Sequence, residues 1–330
     1  MRIPLSDPPA PSAPPAVTIA DVRLAAAALE GVAVRTPLVE VPSLSKAIGH
    51  SVALKCEQQQ PVGAFKVRGA FNALSRLPEA VRARGVITYS SGNHGQAVAW
   101  AARRMGVRAV IVMPENAPQI KVDGVRRLGG EIVFAGTRSV DRRVRAEQIC
   151  EAEGLAMIPP FDHPDVIAGQ GTCGLEILQQ WPHVDTILVP VGGGGLLAGI
   201  CVAVAGTNPA VKVVGVEPEG AAKLTAAMRA GAPLALDKTA SLADGLLPLA
   251  VGDMTFPIIR QVMSKVVTVS DDDIARAVRL LHREVGLRVE PSGAATTAAL
   301  IAHAVHPAGA TVAVVSGGNV DEELFERFVS

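Results

Sequence analysis

The chain is predicted to be an α/β protein of two open, twisted lobes with mostly parallel sheets. Three observations carry that prediction. Between residues 85 and 158 short apolar runs alternate with helical patterns, the signature of parallel strands joined by helical crossovers. Glycine-rich loops follow three of the buried runs: Ser90-Ser91-Gly92-Asn93-His94-Gly95, Gly192-Gly193-Gly194-Gly195 and Ser316-Gly317-Gly318-Asn319. The chain has 330 residues, enough for a sizeable core divided between two lobes.

Taken in order, residues 1–17 are rich in Pro, Ala and Ser and read as a flexible N-terminal arm. A first helix spans 18–29, with Thr18 as its cap, Asp21 in its first turn and Gly31 beyond its end. Residues 36–38 are extended, 42–48 helical, and 51–56 alternate as a strand. A helix follows the Lys66 stretch to about 77. Strands are expected at 85–88, 108–113, 131–134 and 156–158, with helices leading to Met105, over 119–128 and over 139–153. Further on, 165–178 is helical, and a strand at 186–189 runs into the four glycines and then a helix to Ala205. Strands at 211–216, 266–269 and 312–315 alternate with helices at 256–263, 271–285 (capped by Ser270) and from Glu290 to His303, before a short amphipathic C-terminal helix. This pattern divides the chain into a larger lobe, 18–75 with 162–330, and a smaller mobile lobe, 76–161.

Composition excludes several function classes. Hydrophobic residues make up 49% of the chain, as in a soluble globular protein. Lys plus Arg and Asp plus Glu both number 31, so no charge excess points to nucleic acid or an acidic membrane surface. The long apolar run 186–205 contains Pro190 and the four glycines, which favours a buried strand, loop and helix over a membrane span. Cys56, Cys150, Cys173 and Cys201 have no CxxC spacing and read as buried free thiols of a cytoplasmic, reducing compartment. No basic segment followed by an apolar core opens the chain, so a signal peptide is not expected. No appended C-terminal module is read either, which argues against feedback control. There is no GxGxxG with an acidic residue at ribose distance, and no Walker lysine beside the glycine run, so dinucleotide and nucleotide sites are disfavoured.

The chemistry centres on Lys66, in Gly63-Ala64-Phe65-Lys66-Val67-Arg68-Gly69-Ala70. Apolar, small-residue surroundings desolvate an ammonium and lower its pKa, and a neutral lysine is a nucleophile toward carbonyls. A lone lysine at a helix start is more often a surface residue. What counts against that is the glycine run: backbone N–H groups between a strand and a helix N-terminus form a phosphate cradle. At the loop after 85–88, Asn93 can hold a phenolic oxygen. Ser90 and Ser91, with the backbone donors of Gly92, Asn93 and His94, can hold a substrate carboxylate. His94 by itself reads as a structural histidine, and with no His or Cys at ligand spacing a zinc site is rejected. Ser316 can hydrogen-bond a pyridine nitrogen, and a hydroxyl there makes a weaker electron sink than an Asp would.

These motifs together resemble the fold-type II pyridoxal-phosphate (PLP) enzymes, whose fold is like that of the tryptophan synthase β chain, and within them the serine/threonine dehydratase and serine racemase family. The likeness runs from about Ile19 to Asp321 and includes Gly169-Gln170-Gly171-Thr172, Ala243-Asp244-Gly245 and Glu290-Pro291. The family pattern Ser-Phe-Lys-x-Arg-Gly-Ala has Ala64 at its first position here. The resemblance implies that Lys66 carries the cofactor as a Schiff base, Phe65 packs on its ring and Asn93 binds its ring oxygen. It also implies that Gly192, Gly193, Gly194, Gly195 and Leu196 hold the phosphate and that Ser316 faces the ring nitrogen.

The activity implied is dehydration and deamination of L-threonine, L-serine or a related β-hydroxy amino acid by a homodimer, with Lys66 removing the α-proton. Ser91 stands where racemases of the family carry their second base, although some dehydratases have Ser there too. Serine or aspartate racemisation and 3-hydroxyaspartate dehydration therefore remain open. A non-catalytic protein that keeps the fold is disfavoured, because a scaffold has no need of Lys66, Asn93 and Ser316 together. Racemase-like members also bind a divalent cation. Glu217 and Ala221 match two of its ligands, but Lys223 stands where the third is an Asp. An ammonium there repels Mg²⁺ or Ca²⁺ and can take the cation's place beside Glu217, so metal dependence is expected to be weak or absent.

Overall fold

The computed structural model describes residues 17–90, 92–117 and 119–330. Residues 1–16 of the expected arm, and Ser91, lie outside the described residues; Val17 is buried in the core. The chain begins with α1 (Ile19–Ala28), β1 (Leu38–Glu40), α2 (Pro42–Ile48), β2 (Val52–Cys56), α3 (Lys66–Arg76) and α4 (Glu79–Arg82). It continues with β3 (Val86–Tyr89), α5 (Asn93–Met105), β4 (Ala109–Met113), α6 (Gln119–Arg127), β5 (Glu131–Phe134), α7 (Ser139–Glu153) and β6 (Ala156–Met157). Next come α8 (Pro164–Gln180), β7 (Thr186–Pro190), α9 (Gly195–Thr207), β8 (Lys212–Pro218) and α10 (Lys223–Ala230). The rest is α11 (Thr255–Val262), β9 (Lys265–Val269), α12 (Asp271–Val285), α13 (Pro291–Ile301), β10 (Thr311–Val315) and α14 (Glu322–Val329).

Two sheets organise these elements. One has six strands in the order β1-β2-β10-β7-β8-β9, parallel except for β1 against β2. The other has four parallel strands in the order β5-β4-β3-β6. Parallel strands end on the same side, so the loops leaving β3, β7 and β10 gather at the carboxyl ends of the sheets, where α/β ligands bind. No helix among the described residues is long and apolar enough to cross a membrane.

Local signals set several boundaries. Thr18 and Asp21 form a capping box at α1, and Ser270 and Asp273 form one at α12. Helices α8 and α9 pack so closely that a Cβ on Gly199 would lie 2.5 Å from the Gly171 nitrogen. Likewise, a Cβ on Gly169 would lie 2.6 Å from the Arg68 carbonyl oxygen, so α3 seats directly on α8.

One expectation needs correction. Strand β2 does not alternate between core and solvent: every residue of it is buried, Lys55 included. The strand is interior, with β1 and β10 on its two sides, so Lys55 requires internal partners. Its Nζ donates to Thr36 O at 2.7 Å, Glu176 Oε2 at 2.6 Å and Gln180 Oε1 at 2.8 Å. Arg68, on α3, joins the same network, giving Nε to Glu57 Oε2 and Nη1 to Glu176 Oε1, both at 2.7 Å. The pair Arg68–Glu57 is fully enclosed, and the neighbouring guanidinium holds the Glu57 carboxyl below the usual range despite its burial. Of the four thiols, which are all free, Cys56, Cys173 and Cys201 are buried, while Cys150 is only partly so.

Removing one partner of a buried ion pair strands the other charge. Arg68→Met is therefore expected to lower the unfolding free energy by about 3–5 kcal/mol in urea titrations. Arg108→Ala, which breaks exposed bridges to Glu131 and Glu153, is expected to cost about 1 kcal/mol or less.

Candidate active site

Lys66 is the first residue of α3, at the end of a chain segment tied to the loop after β10. Phe65 N–H donates to Ser316 O at 3.1 Å, and Ala64 bridges Gly317. The Lys66 side chain is partly buried and its Nζ donates to Pro160 O at 2.7 Å. Desolvation pushes its pKa down to about 8, against the opposing pull of Glu290. The amine also lies 5.1 Å from the Phe65 ring centroid.

Residue 161 links this amine to the glycine run. A Cβ built on Gly193 would sit 2.2 Å from the Phe161 ring, and one on Gly195 would meet Phe161 Cβ at 3.0 Å. The Lys66 amine and the glycine loop are thus bridged by the adjacent residues Pro160 and Phe161. The carbonyl of Gly193 is turned back into the protein, accepting from Thr255 Oγ1 at 2.9 Å and Gly252 N at 3.1 Å. Gly194 has φ +94°, a conformation that L side chains rarely adopt, and a Cβ there would meet Thr255 Oγ1 at 2.8 Å. Among the described residues the N–H groups of Gly192, Gly193 and Gly194 have no hydrogen-bond acceptor. They stand at the N-terminus of α9, with buried Leu196 in its first turn. A set of free donors backed by a helix end fits a phosphate.

The loop after β3 supplies the other face. Asn93, the first residue of α5, gives Nδ2 to Glu290 Oε1 at 2.7 Å and accepts on Oδ1 from Asn319 Nδ2 at 2.8 Å. Asn319 Nδ2 also donates to Val62 O at 2.6 Å, which ties Asn93 to the segment before Lys66. Burial and the nearby Asp244 carboxylate push Glu290 up to about 8, against Asn93, Lys121 and Lys66. Ser316 is buried, with Oγ 3.5 Å from Ser292 O. Ser90 Oγ accepts from Gly92 N at 3.3 Å.

His94 is only half-satisfied: Nε2 meets Ile158 O at 2.9 Å, while buried Nδ1 has no partner among the described residues. Desolvation and the Lys66 charge push its pKa down to about 3, so it stays neutral.

Lys66, Phe65, Asn93, the glycine run and Ser316 thus converge through short contacts. Sequence reasoning missed Pro160, Phe161, Thr255, Glu290 as a partner of Asn93, and Asn319. Pro160 acts through a backbone carbonyl and Phe161 through shape, and neither leaves a motif. Asn319 was within a motif already singled out and was available as a signal. Glu217, at the end of β8, is fully buried and accepts from Leu224 N at 2.7 Å and from Thr225 N at 2.9 Å.

Two outcomes check this geometry. The rate at which pyridoxal condenses with the Lys66 amine of apo protein should rise with pH along an apparent pKa of about 8. A profile still rising with the midpoint of an ordinary lysine would contradict it. Gly194→Ala should weaken binding of the phosphorylated aldehyde by at least about tenfold, about 1.4 kcal/mol or more, through strain and the Thr255 clash. Fluorescence titration measures it.

The family model described as "Pyridoxal-phosphate dependent enzyme" matches residues 29–317. The chain is 45% identical to an L-threonine dehydratase of Pasteurella multocida over 265 residues, which is 80% of this chain and 52% of that protein. It therefore spans about half the length of that relative. It is 41% identical to an L-threo-3-hydroxyaspartate ammonia-lyase of a Pseudomonas species, covering 92% of this chain and 96% of the relative. The solved structure of maize serine racemase superposes with a TM-score of 0.91 at 36% identity, over 94% of this chain and 96% of that one. An amine of lowered pKa, a free-donor cradle and these matches lead to one conclusion: the chain belongs to the pyridoxal-phosphate dependent enzymes of fold type II.

Proposed function

We propose that the chain is a PLP-dependent ammonia-lyase that converts L-threonine, L-serine or a related β-hydroxy amino acid to a 2-oxo acid and ammonia. The observation that carries the reading is the desolvated Lys66 amine, pKa about 8, joined through Pro160 and Phe161 to the free N–H groups of the glycine run. When bound, the cofactor supplies an electron sink for the α-carbon. Gly192, Gly193, Gly194, Gly195 and Leu196 would hold its phosphate, and Phe65, Asn93 and Ser316 would contact its ring, Asn93 as a hydrogen-bond donor to the phenolic oxygen and Ser316 at the ring nitrogen.

Ser90, Gly92, Asn93 and His94, at the N-terminus of α5, orient the substrate carboxylate. With a pKa near 8, about a tenth of the Lys66 amine is neutral at pH 7, and the neutral form accepts the α-proton at Nζ. The β-hydroxyl leaves as water with the proton returned from the Lys66 ammonium so formed, and the enamine product tautomerises and takes up water to give the 2-oxo acid and ammonia. Residues 76–161, which contain all four strands of the smaller sheet, are proposed to move as a unit over substrate against 18–75 with 162–330. A cytoplasmic homodimer belongs to the same reading.

A second reading, racemisation, is favoured by the fold-wide likeness to maize serine racemase and by the identity of residue 91. Ser91 would supply the base on the opposite face. Dehydration of 3-hydroxyaspartate is the third, supported by the Pseudomonas relative.

A panel of L- and D-hydroxy amino acids, assayed for both 2-oxo acid and enantiomer, separates the three. Lys66→Ala should abolish elimination by about 10²–10⁴-fold, the usual worth of a positioned base, and should prevent borohydride from fixing the cofactor. In Ser91→Ala elimination should survive, with a raised KM if the hydroxyl holds the substrate carboxylate, and if the enzyme racemises that activity should vanish. Elimination surviving in Lys66→Ala at the wild-type rate would refute the assignment.

A further inference from the structure

Lys223 is fully enclosed, and so is Glu217, whose Oε1 lies 3.4 Å from its Nζ. The ammonium has no bulk water to solvate it, and its donors are taken up by backbone oxygens. Nζ donates to Val191 O at 2.7 Å, Leu246 O at 2.9 Å and Ala221 O at 3.0 Å. Three carbonyls and one carboxylate around a single positive centre form a shell of oxygens of the type a hard cation takes, but only four of them, fewer than the roughly six to eight around a calcium or magnesium ion. These oxygens come from separate parts of the chain: the end of β7 just before the glycine run, the end of β8 with the turn after it, and the 244–246 turn.

That shell leaves no place for a divalent ion. Both Glu217 oxygens are already engaged, Oε1 by Leu224 N and Oε2 by Thr225 N and Oγ1. The carbonyl of Ala221, the second ligand inferred from the resemblance, points at Nζ. A second positive charge within a few ångströms of a buried ammonium would be strongly repelled. The donor set does not fit Mg²⁺ or Ca²⁺.

We infer that Lys223 is a built-in cation, a positioning residue that fixes the base of the phosphate-binding loop by gathering Val191, Ala221 and Leu246 around one covalently tethered charge. The tether reaches both sides of the site. Val191 immediately precedes Gly192, and a Cβ on Gly192 would lie 3.1 Å from Gly245 O, in the turn that Leu246 closes. Gly245 N–H donates to Ser292 Oγ at 2.9 Å, and Ser292 O accepts from Ser316 Oγ. A soluble ion in this place would make loop geometry depend on its concentration. A lysine, whose compact charge rides on a chain of four carbons, removes that dependence. The inference rests on the reading that the glycine run holds a phosphate. The oxygen cage itself can be tested without any cofactor.

The test uses the full chain, apo and PLP-loaded, in buffers whose salt is tetramethylammonium, ammonium, methylammonium, potassium or magnesium chloride at equal ionic strength. The wild-type melting temperature and PLP Kd are expected to be flat across these salts and with EDTA. Lys223→Ala is expected to melt lower as apo protein and to bind PLP at least about tenfold more weakly, as when a supporting shell is removed. Ammonium, methylammonium or potassium should restore both, and tetramethylammonium, too large for the cage, neither. Lys223→Asp should instead gain stability from Mg²⁺. A Lys223→Ala protein that keeps wild-type melting and PLP affinity in tetramethylammonium overturns the inference. So does a wild type that EDTA destabilises or Mg²⁺ stabilises, an arm that decides even if the variants do not fold. Ammonium rescue of apo melting in Lys223→Ala, alongside a wild type that fails to bind PLP, would uphold the cage and refute the cofactor reading instead.

Discussion

The structure depends on partly burying one amine at the meeting point of three loops. Lys66 gains a single 2.7 Å bond to the Pro160 carbonyl, and desolvation does the rest. An ammonium in water is neutral in a small fraction of molecules near pH 7. Lowering the pKa to about 8 raises that fraction by roughly two orders of magnitude, since each unit is tenfold. The groups packed around Lys66 limit its contact with water and aim it.

The aiming is done by buried charge. Two residues beyond Lys66, Arg68 is clamped between Glu57 and Glu176, and Lys55 shares the second carboxylate. Such networks add little net stability compared with apolar packing, but they tolerate little displacement, because each partner would be left unsatisfied. Helix α3 therefore has one seating on α8, set by this clamp and by the glycines that let the two backbones touch. On the other side of the site the Lys223 cage plays the same part for the glycine run. Lys66 and the phosphate cradle are thus each backed by an enclosed ion pair.

The third wall is a chain of amides and carboxyls. Asn319, Asn93 and Glu290 form a continuous hydrogen-bonded line from the Val62 carbonyl toward Asp244. Burial and Asp244 push the Glu290 carboxyl up, which lessens the negative charge it sets against desolvation of the Lys66 amine.

The order of strands and helices, and the side of the sheets on which the site lies, were legible in the sequence. Alternation of apolar runs with helical patterns, and glycine-rich breaks after β3, β7 and β10, are local properties that survive any change of partner. Lys66, Asn93, the four glycines and Ser316 were legible for the same reason, since each sits in a motif whose chemistry needs that residue type. What only the tertiary structure decided was the partners. Lys55 on an interior strand, Glu217 enclosed rather than solvated, Phe161 against Gly193 and three carbonyls around Lys223 all depend on atoms far apart in the chain. Backbone carbonyls and packed rings carry no residue signature, so their roles emerge only when folding brings them to within hydrogen-bond or contact distance.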